Sequence, residues 1–173
     1  MKIGIDIDGV IRDFFGKTEE VYFRKYPSHK LIRRDVYDIS LWFPIGKEIY
    51  KFAFETHSKE IFTQAQPYEN AFDFMIKLRG GNCVILVTNQ LTRNLEELTK
   101  KWLEIKNIPY DKLMFTKDKS EFIGDYLLDD CTANLERIAK IRNSKPICFD
   151  RPWNQDWKGF RVKSYNEFLE LIK

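Results

Sequence analysis

Cysteine and histidine are scarce in this 173-residue chain, which excludes several kinds of site. The three cysteines, Cys83, Cys131 and Cys148, are an odd number without a CxxC spacing, and two of them lie in apolar, strand-like runs. That pattern is typical of reduced thiols in a cytoplasmic protein and argues against a disulfide framework or a zinc site. The two histidines, His29 and His57, have no obvious partner, which disfavours a histidine-based mechanism.

The chain also lacks a long hydrophobic run and a marked excess of one charge. No apolar stretch is long enough to span a bilayer, and the first residues lead into a strand pattern, so we expect no signal peptide and no membrane partner. Lys and Arg total 29 against 26 Asp and Glu, and the net charge of +3 gives no argument for nucleic-acid binding. The length fits one domain with a small insertion.

Strand and helix patterns alternate along most of the chain. The run from Cys83 to Val87 is uninterrupted and apolar, as in a strand buried on both faces. The predicted strands are 2–5, 83–87, 113–115, 125–128 and 146–149, and the predicted helices are 14–26, 47–55, 59–62, 68–78, 95–105, 134–141 and 165–172. This alternation predicts an α/β fold, a three-layer, Rossmann-like parallel sheet.

No convincing strand pattern appears between residues 14 and 80. We therefore interpret residues 15–66 as a small helical cap inserted after the first strand. Residues 1–14 and 67–173 then form the α/β core domain.

The segment from Asp6 to Val10 closes the first strand and carries two carboxylates. Asp6 and Asp8 alternate with apolar residues, so both point to the same side of the strand. Two carboxylates at the end of a buried strand are costly unless a cation or a phosphate-transfer site compensates them. Gly9 allows a tight turn and close approach of the backbone to a ligand. A pair of aspartates that merely caps the next helix fits this short motif about as well.

The other predicted strands also end in polar residues. Thr88 and Asn89 follow the second strand, the segment 116–120 follows the third, and Asp129 and Asp130 follow the fourth. Because the carboxyl ends of parallel strands meet at one edge of a sheet, these groups should converge there. Carboxylate oxygens suit Mg²⁺, while lysine and hydroxyl groups suit phosphoryl oxygens. The sequence therefore predicts a magnesium–phosphate centre, although each residue alone has a structural explanation.

Four motifs, taken in their order along the chain, resemble those of the haloacid dehalogenase-like phosphohydrolase superfamily. They are Asp6-Ile7-Asp8-Gly9, Val87-Thr88, a lysine, and Gly124-Asp125-Tyr126-Leu127-Leu128-Asp129-Asp130. The resemblance spans about the whole chain, and the set of four is specific where any single motif is not. It implies a Rossmann-like sheet with a cap in the position of the inserted segment, and magnesium-dependent chemistry.

A narrower resemblance links the chain to the 5'(3')-deoxyribonucleotidases. It rests on the opening from Asp6 to Phe14, on Lys117-Asp118-Lys119-Ser120, and on a tail at 149–154 similar to that of bacterial and phage-like members. The match places the motif lysine at Lys119. The second motif departs from the family, which usually continues Thr-Ser-Pro where this chain has Thr88-Asn89-Gln90.

The resemblance implies a role for each matching residue. Asp6 is the expected nucleophile, and Asp8 is the expected acid and base that serves the leaving group and then the hydrolytic water. Neighbouring side chains on an extended segment point in opposite directions. We therefore expect Asp130 to bind the metal and Asp129 to hold the metal ligands in place without binding the metal itself. The expected Mg²⁺ ligands are Asp6, the Asp8 backbone carbonyl and Asp130. The expected phosphate-binding residues are Thr88, Asn89 and Lys119.

The most favoured substrate is a (deoxy)nucleoside monophosphate, held by the cap. Phe14, Trp42 and Phe43 are the candidates to contact a base, and burial in the cap core is the alternative for each. The same chemistry on another small phosphate, such as a sugar phosphate, stays open, as does a non-catalytic binding domain. A polynucleotide 3'-phosphatase is less favoured because no basic groove is evident. A homodimer is possible.

Overall fold

The computed structural model describes residues 1–173 and is built on one sheet of six parallel strands. The strands are β1 Lys2–Ile5, β2 Cys83–Thr88, β3 Lys112–Phe115, β4 Tyr126–Asp129, β5 Lys145–Phe149 and β6 Arg161–Val162. Their order across the sheet is β3-β2-β1-β4-β5-β6, and every neighbouring pair is parallel. β1 therefore lies in the centre, between β2 and β4, and its carboxyl end lies between theirs.

Both faces of the sheet are covered by helices. The helices are α1 Phe14–Lys25, α2 Glu48–Lys51, α3 Ser58–Gln64, α4 Ala71–Arg79, α5 Arg93–Ile105, α6 Thr132–Ile141 and α7 Tyr165–Leu171. Side chains of β2 alternate between the faces: Val84 and Leu86 pack with α4 and α7, whereas Ile85 and Val87 pack with α6. This alternation is the three-layer arrangement, and it confirms the predicted α/β fold.

The segment between β1 and α4 contains helices and no strand. It carries α1, a 3₁₀ turn at Ile39–Leu41, α2 with a π-helical continuation at Phe52–Thr56, and α3. We call residues 15–66 of this segment the cap. Most buried apolar residues of the cap, together with Phe14, form a second hydrophobic cluster, rich in phenylalanine, that also includes Leu95 of α5 and Trp153 of the loop after β5. The cap therefore shares its core with two residues outside the segment.

Several element boundaries differ from the predicted ones by a few residues, and two differences have a clear physical reason. β6 was not predicted, because a strand of two residues is too short to show a sequence period, and only its pairing with β5 defines it. α4 begins at Ala71 instead of residue 68, since Asn70 precedes it in the left-handed conformation with φ of 64°. None of the helices combines the length and apolar composition that crossing a membrane requires.

Candidate active site

The carboxyl ends of the central strands open into a cavity of about 510 Å³ between the sheet and the cap. The structure brings five of the predicted residues to its wall: Asp6, Asp8, Thr88, Asn89 and Lys119. They come from the ends of β1 and β2 and from the loop after β3. Strand order explains this gathering, because β1 and β2 are neighbours and all strands run in one direction.

Asp6 lies at the bottom of this cavity and is almost fully buried, at 5% exposure. Its Oδ1 accepts a hydrogen bond from the backbone N–H of Ile7 at 2.7 Å. Its Oδ2 lies 2.7 Å from Nζ of Lys119. Burial raises the pKa of Asp6 to about 7, although the attraction of Lys119 opposes the rise. Lys119 therefore favours the ionised form of this carboxylate against the cost of its burial.

Lys119 is the buried cation of the site, and the sequence resemblance had selected it over Lys117. Lys117 is exposed, whereas Nζ of Lys119 contacts Asp6 and also Oδ2 of Asp129 at 2.8 Å. Burial alone would lower the pKa of Lys119, but the attraction of Asp129 and then of Asp6 outweighs it, and the pKa is raised. The ammonium is therefore held in its charged form.

Asp129 and Asp130 differ in their hydrogen bonding. Oδ1 of Asp129 accepts from the backbone N–H of Cys131 at 2.8 Å, Oδ2 accepts from Lys119, and Asn134 approaches both oxygens. Oδ2 of Asp130 accepts from Nε1 of Trp153 at 3.0 Å, but the buried Oδ1 of Asp130 has no partner. One carboxylate is thus saturated by the protein, and the other has a free, buried oxygen.

These features fit a divalent cation. One carboxylate oxygen from each of Asp6, Asp129 and Asp130 lies within 4.8 Å of the other two. With all three ionised, Lys119 leaves two negative charges uncompensated, and burial, followed by repulsion from Asp6 and Asp129, raises the pKa of Asp130 well above its usual range. A hard divalent ion would balance that excess and use the free oxygen of Asp130. Gly9 completes the floor at φ of 79°, because a Cβ there would lie 2.0 Å from Oδ2 of Asp130.

Asp8 is held by two residues that the sequence interpretation did not single out. Arg12 donates from Nε to Oδ1 at 2.7 Å and from Nη2 to Oδ2 at 2.8 Å. Nε2 of Gln90 lies 3.2 Å from Oδ2 of Asp8 and 3.1 Å from Oγ1 of Thr88. The spacing of four between Asp8 and Arg12 is visible in the sequence, but only the structure shows that the two side chains meet.

The three aromatic residues expected to contact a base do not all lie at the cavity. Phe14 lines the cavity, as expected. Trp42 and Phe43 do not line it: each is 1% exposed within the cap core, and Nε1 of Trp42 donates to the backbone carbonyl of Val36 at 2.7 Å. The assignment of Trp42 and Phe43 to substrate contact is therefore corrected, because the cap needs these large side chains for its own core.

Other cap side chains face the cavity instead. They are Phe15, Tyr37, Asp38, Ile39, Tyr50 and Phe54. The Phe54 ring is stacked on Phe14 with ring centroids 5.5 Å apart, and Tyr50 donates a hydrogen bond to Asp38 at 2.5 Å. The part of the cavity wall that the cap supplies is thus largely aromatic and includes one carboxylate, that of Asp38. Sequence pattern alone did not distinguish these residues from Trp42 and Phe43, since all lie in one aromatic-rich segment.

Comparison with known proteins identifies the family of this chain. The family described as 5' nucleotidase, deoxy (pyrimidine), cytosolic type C, matches residues 1–173. The chain belongs to this family. A relative from Chlorobaculum tepidum, provisionally named a 5'(3')-deoxyribonucleotidase, is 25% identical over 99% of this chain and 89% of its own length. The nucleotidase is thus an enzyme that hydrolyses phosphate monoesters, as predicted from its four motifs.

Solved structures show the fold of this nucleotidase. A haloacid dehalogenase-like hydrolase from Streptococcus pneumoniae superposes with a TM-score of 0.68 at 12% identity, over 99% of this chain and 98% of its own. A HAD-hydrolase from Bacillus subtilis, described as bound to magnesium, gives 0.65 at 10% identity, over 99% and 98% of the two chains. The predicted haloacid dehalogenase-like fold is confirmed.

Proposed function

We propose that this nucleotidase hydrolyses (deoxy)nucleoside monophosphates with Mg²⁺, through an aspartyl-phosphate, an acyl phosphate on Asp6. The observation that carries the proposal is the buried carboxylate of Asp6, paired with Lys119 at the bottom of a cavity that Asp8 also lines. A buried carboxylate next to a fixed ammonium suits nucleophilic attack on a phosphate, since the ammonium also attracts the substrate. Residues 15–66 act as the cap over this site.

In the first step, a carboxylate oxygen of Asp6 attacks phosphorus. The bond from Asp6 to phosphorus forms, and the bond from phosphorus to the ester oxygen of the nucleoside breaks. Asp8 gives a proton to that departing oxygen, so the nucleoside leaves as an alcohol. Lys119, Thr88 and Asn89 contact the phosphoryl oxygens and offset their charge.

In the second step, water attacks the phosphorus bound to Asp6. Asp8, now a carboxylate, takes a proton from this water, and the bond between phosphorus and Asp6 breaks. The products are inorganic phosphate and free Asp6. The hydrogen bonds of Arg12 and Gln90 to Asp8 hold its side chain in place during this step.

Asp6, the backbone carbonyl of Asp8 and Asp130 would hold the magnesium ion, and Asp129 would support them from behind through Lys119 and the Cys131 amide. Bound there, the ion would reduce the repulsion between the carboxylates and an incoming phosphate. The free Oδ1 of Asp130 supports this assignment.

A nucleoside is favoured as the leaving group because the cap supplies a largely aromatic wall to the cavity. Tyr37, Tyr50 and Phe54 offer accessible ring surface to a flat base, whereas a sugar phosphate would need more polar contacts. We place the protein in the cytoplasm, since its three cysteines are free and two are buried thiols.

The function is tested by measuring phosphate release from a panel of nucleoside monophosphates and sugar phosphates, with Mg²⁺ and with a chelator. We expect release from deoxynucleotides that falls to background in chelator. Release from sugar phosphates alone would agree with the proposed mechanism but refute the assignment of a nucleotide as the substrate. Release that is undiminished by exhaustive chelation would refute the magnesium requirement.

Trp153→Phe is expected to weaken Mg²⁺ binding by about 10- to 100-fold, as for other residues that orient a metal ligand. The substitution removes the hydrogen bond to Oδ2 of Asp130 but keeps a ring against Phe15, whose centroid is 4.4 Å away. Isothermal titration with Mg²⁺ measures the change without turnover. Trp157→Phe is the matched control, because Nε1 of Trp157 bonds only to the carbonyl of Phe160. Equal affinities in the two variants would contradict the prediction.

A further inference from the structure

Arg12 is a completely buried cation, and its guanidinium faces Asp8 side-on. Nε bonds to Oδ1 of Asp8 at 2.7 Å and Nη2 bonds to Oδ2 at 2.8 Å, which is the two-pronged geometry that fixes a carboxylate in orientation as well as position. Gln90 adds a third hydrogen bond to Oδ2. A carboxylate has about four lone-pair sites. The side chain of Asp8, still 25% exposed, keeps one such site for a proton in transfer.

The same guanidinium also contacts both parts of the molecule. On the cap side, Nη1 lies 3.4 Å from the backbone carbonyl of Phe62 in α3, and the ring centroid of Phe62 lies 4.8 Å from Cζ. On the core side, Nη2 lies 3.3 Å from Oγ1 of Thr99, and the Trp102 ring lies 5.2 Å away; both residues belong to α5. Arg12 therefore fills the junction between α3 and α5.

Arg12 also lies where the chain leaves the core for the cap and returns. The backbone N–H of Asp13 donates to the carbonyl of Gln66 at 2.9 Å, and that of Tyr68 donates to Ile11 at 3.0 Å. The outgoing and returning segments are thus hydrogen-bonded beside this residue. A shift of the cap relative to α5 would alter the surroundings of the guanidinium directly.

We propose that Arg12 is a positioning residue that orients Asp8 for proton transfer. Through Arg12, this orientation depends on how the cap packs against α5. The inference rests on the proposed role of Asp8. An exposed ion pair would need no such contacts on both sides. Here the cation is desolvated, stacked between two rings and bonded to both parts of the molecule, so its position is fixed by their packing.

The test compares Arg12→Lys with the wild type on two substrates. A nucleoside monophosphate releases an alkoxide that needs a proton, whereas p-nitrophenyl phosphate releases a phenolate that leaves almost unaided. The quantity is kcat/KM, because it covers the steps up to departure of the leaving group. Lysine keeps the charge but loses the two-pronged contact. We expect about a 100-fold loss for the nucleotide, the size of effect that misplacement of a reacting group by about 1 Å produces. The loss for p-nitrophenyl phosphate should be much smaller.

Arg79→Lys is the matched control, since Arg79 pairs with Asp111 at 2.8 Å on the surface, and it should leave both substrates unchanged. If Arg12→Lys does not fold, Thr99→Val is tested instead, because it removes one core-side hydrogen bond to Arg12 and keeps the pair with Asp8. We expect a smaller loss of kcat/KM that is again selective for the nucleotide. Equal losses on both substrates, or none, would overturn the inference and leave the proposed function intact. A wild type inactive on both substrates would refute the proposed function itself.

Discussion

Replacing Asp6 with asparagine is expected to lower the rate of phosphate release by a factor on the order of 10⁴ or more, which is the scale of losing a nucleophile. The amide is nearly the same size as the carboxylate but is a much weaker nucleophile and does not form the acyl phosphate. It also removes one negative charge from a buried cluster in which carboxylates outnumber the one ammonium. The variant should therefore fold, and in metal-free buffer its thermal stability should equal or exceed that of the wild type.

The measurement is the initial rate of phosphate release in Mg²⁺, with thermal melting as the check of folding. Asp73→Asn serves as control, because Asp73 is an exposed residue of α4, and its activity should equal that of the wild type. Acid quenching of the wild type during turnover should trap phosphate on the protein, and Asp6→Asn should trap none. An Asp6→Asn variant with more than about a tenth of wild-type activity would refute the nucleophile assignment.

Lys119→Met is expected to reduce both activity and stability. Lys119 is the ammonium that contacts Asp6 and Asp129, and its removal leaves buried carboxylates facing each other. Breaking a buried pair by deleting one partner costs about 3–5 kcal/mol of unfolding free energy. Loss of a fixed charge aimed at the phosphate costs a further factor of about 10²–10³ in rate. Lys117→Met, two residues away at an exposed position, should change neither quantity.

The stability loss should depend on pH with a definite sign. The pKa of Asp6 is raised to about 7 from an ordinary value of 3.8, so the folded, metal-free protein binds more protons than the unfolded chain between these values. Its stability therefore falls as the pH rises from about 4 to about 7. Without Lys119 the pKa rises further, and the fall should extend above pH 7.

Melting temperatures of metal-free protein at pH 5 and pH 8, for Lys119→Met, Lys117→Met and the wild type, measure this effect. Lys119→Met should lose the most at pH 8. If Lys119→Met melts like Lys117→Met at both values, the ammonium does not stabilise the carboxylate cluster.

The sheet could be predicted because its signal is local. A buried parallel strand shows itself as an apolar run, as at Cys83–Thr88, and the rule that strand ends share an edge then places Asp6 near Thr88 without any coordinates. Where the element is very short, as for Arg161–Val162, the sequence has no period to detect, and the pairing partner alone creates the strand.

The polar surroundings of the site could be predicted only in part, for a different reason. Asp8 and Arg12 are visible as a spacing, but their pairing depends on how α3 docks against α5, which no local pattern records. Gln90 appears in the sequence as a departure from the usual second motif. In the structure its amide bonds to both Asp8 and Thr88, so the departure lies within the site itself.

The aromatic residues of the cap show most clearly what could not be predicted from the sequence. Trp42 directly follows a 3₁₀ turn, and its ring lies 5.3 Å from the ring of Phe15 within the cap core, whereas Tyr37 lies at the cavity. Both are aromatic and lie within six positions. Which one faces a ligand is decided by tertiary packing, and composition carries no such information.

The sharing of one hydrophobic cluster between the cap and Trp153 has a consequence for protein engineering. Trp153 packs against Phe15 and Trp42 while its indole N–H bonds to Asp130, so one side chain belongs both to the cap interior and to the carboxylate cluster. A chimera that exchanges residues 15–66 with those of a relative would change the side chains that pack against Trp153. It would thereby change the position of the indole N–H that bonds to Asp130. We therefore expect a functional exchange of residues 15–66 to require exchange of the 151–154 loop as well.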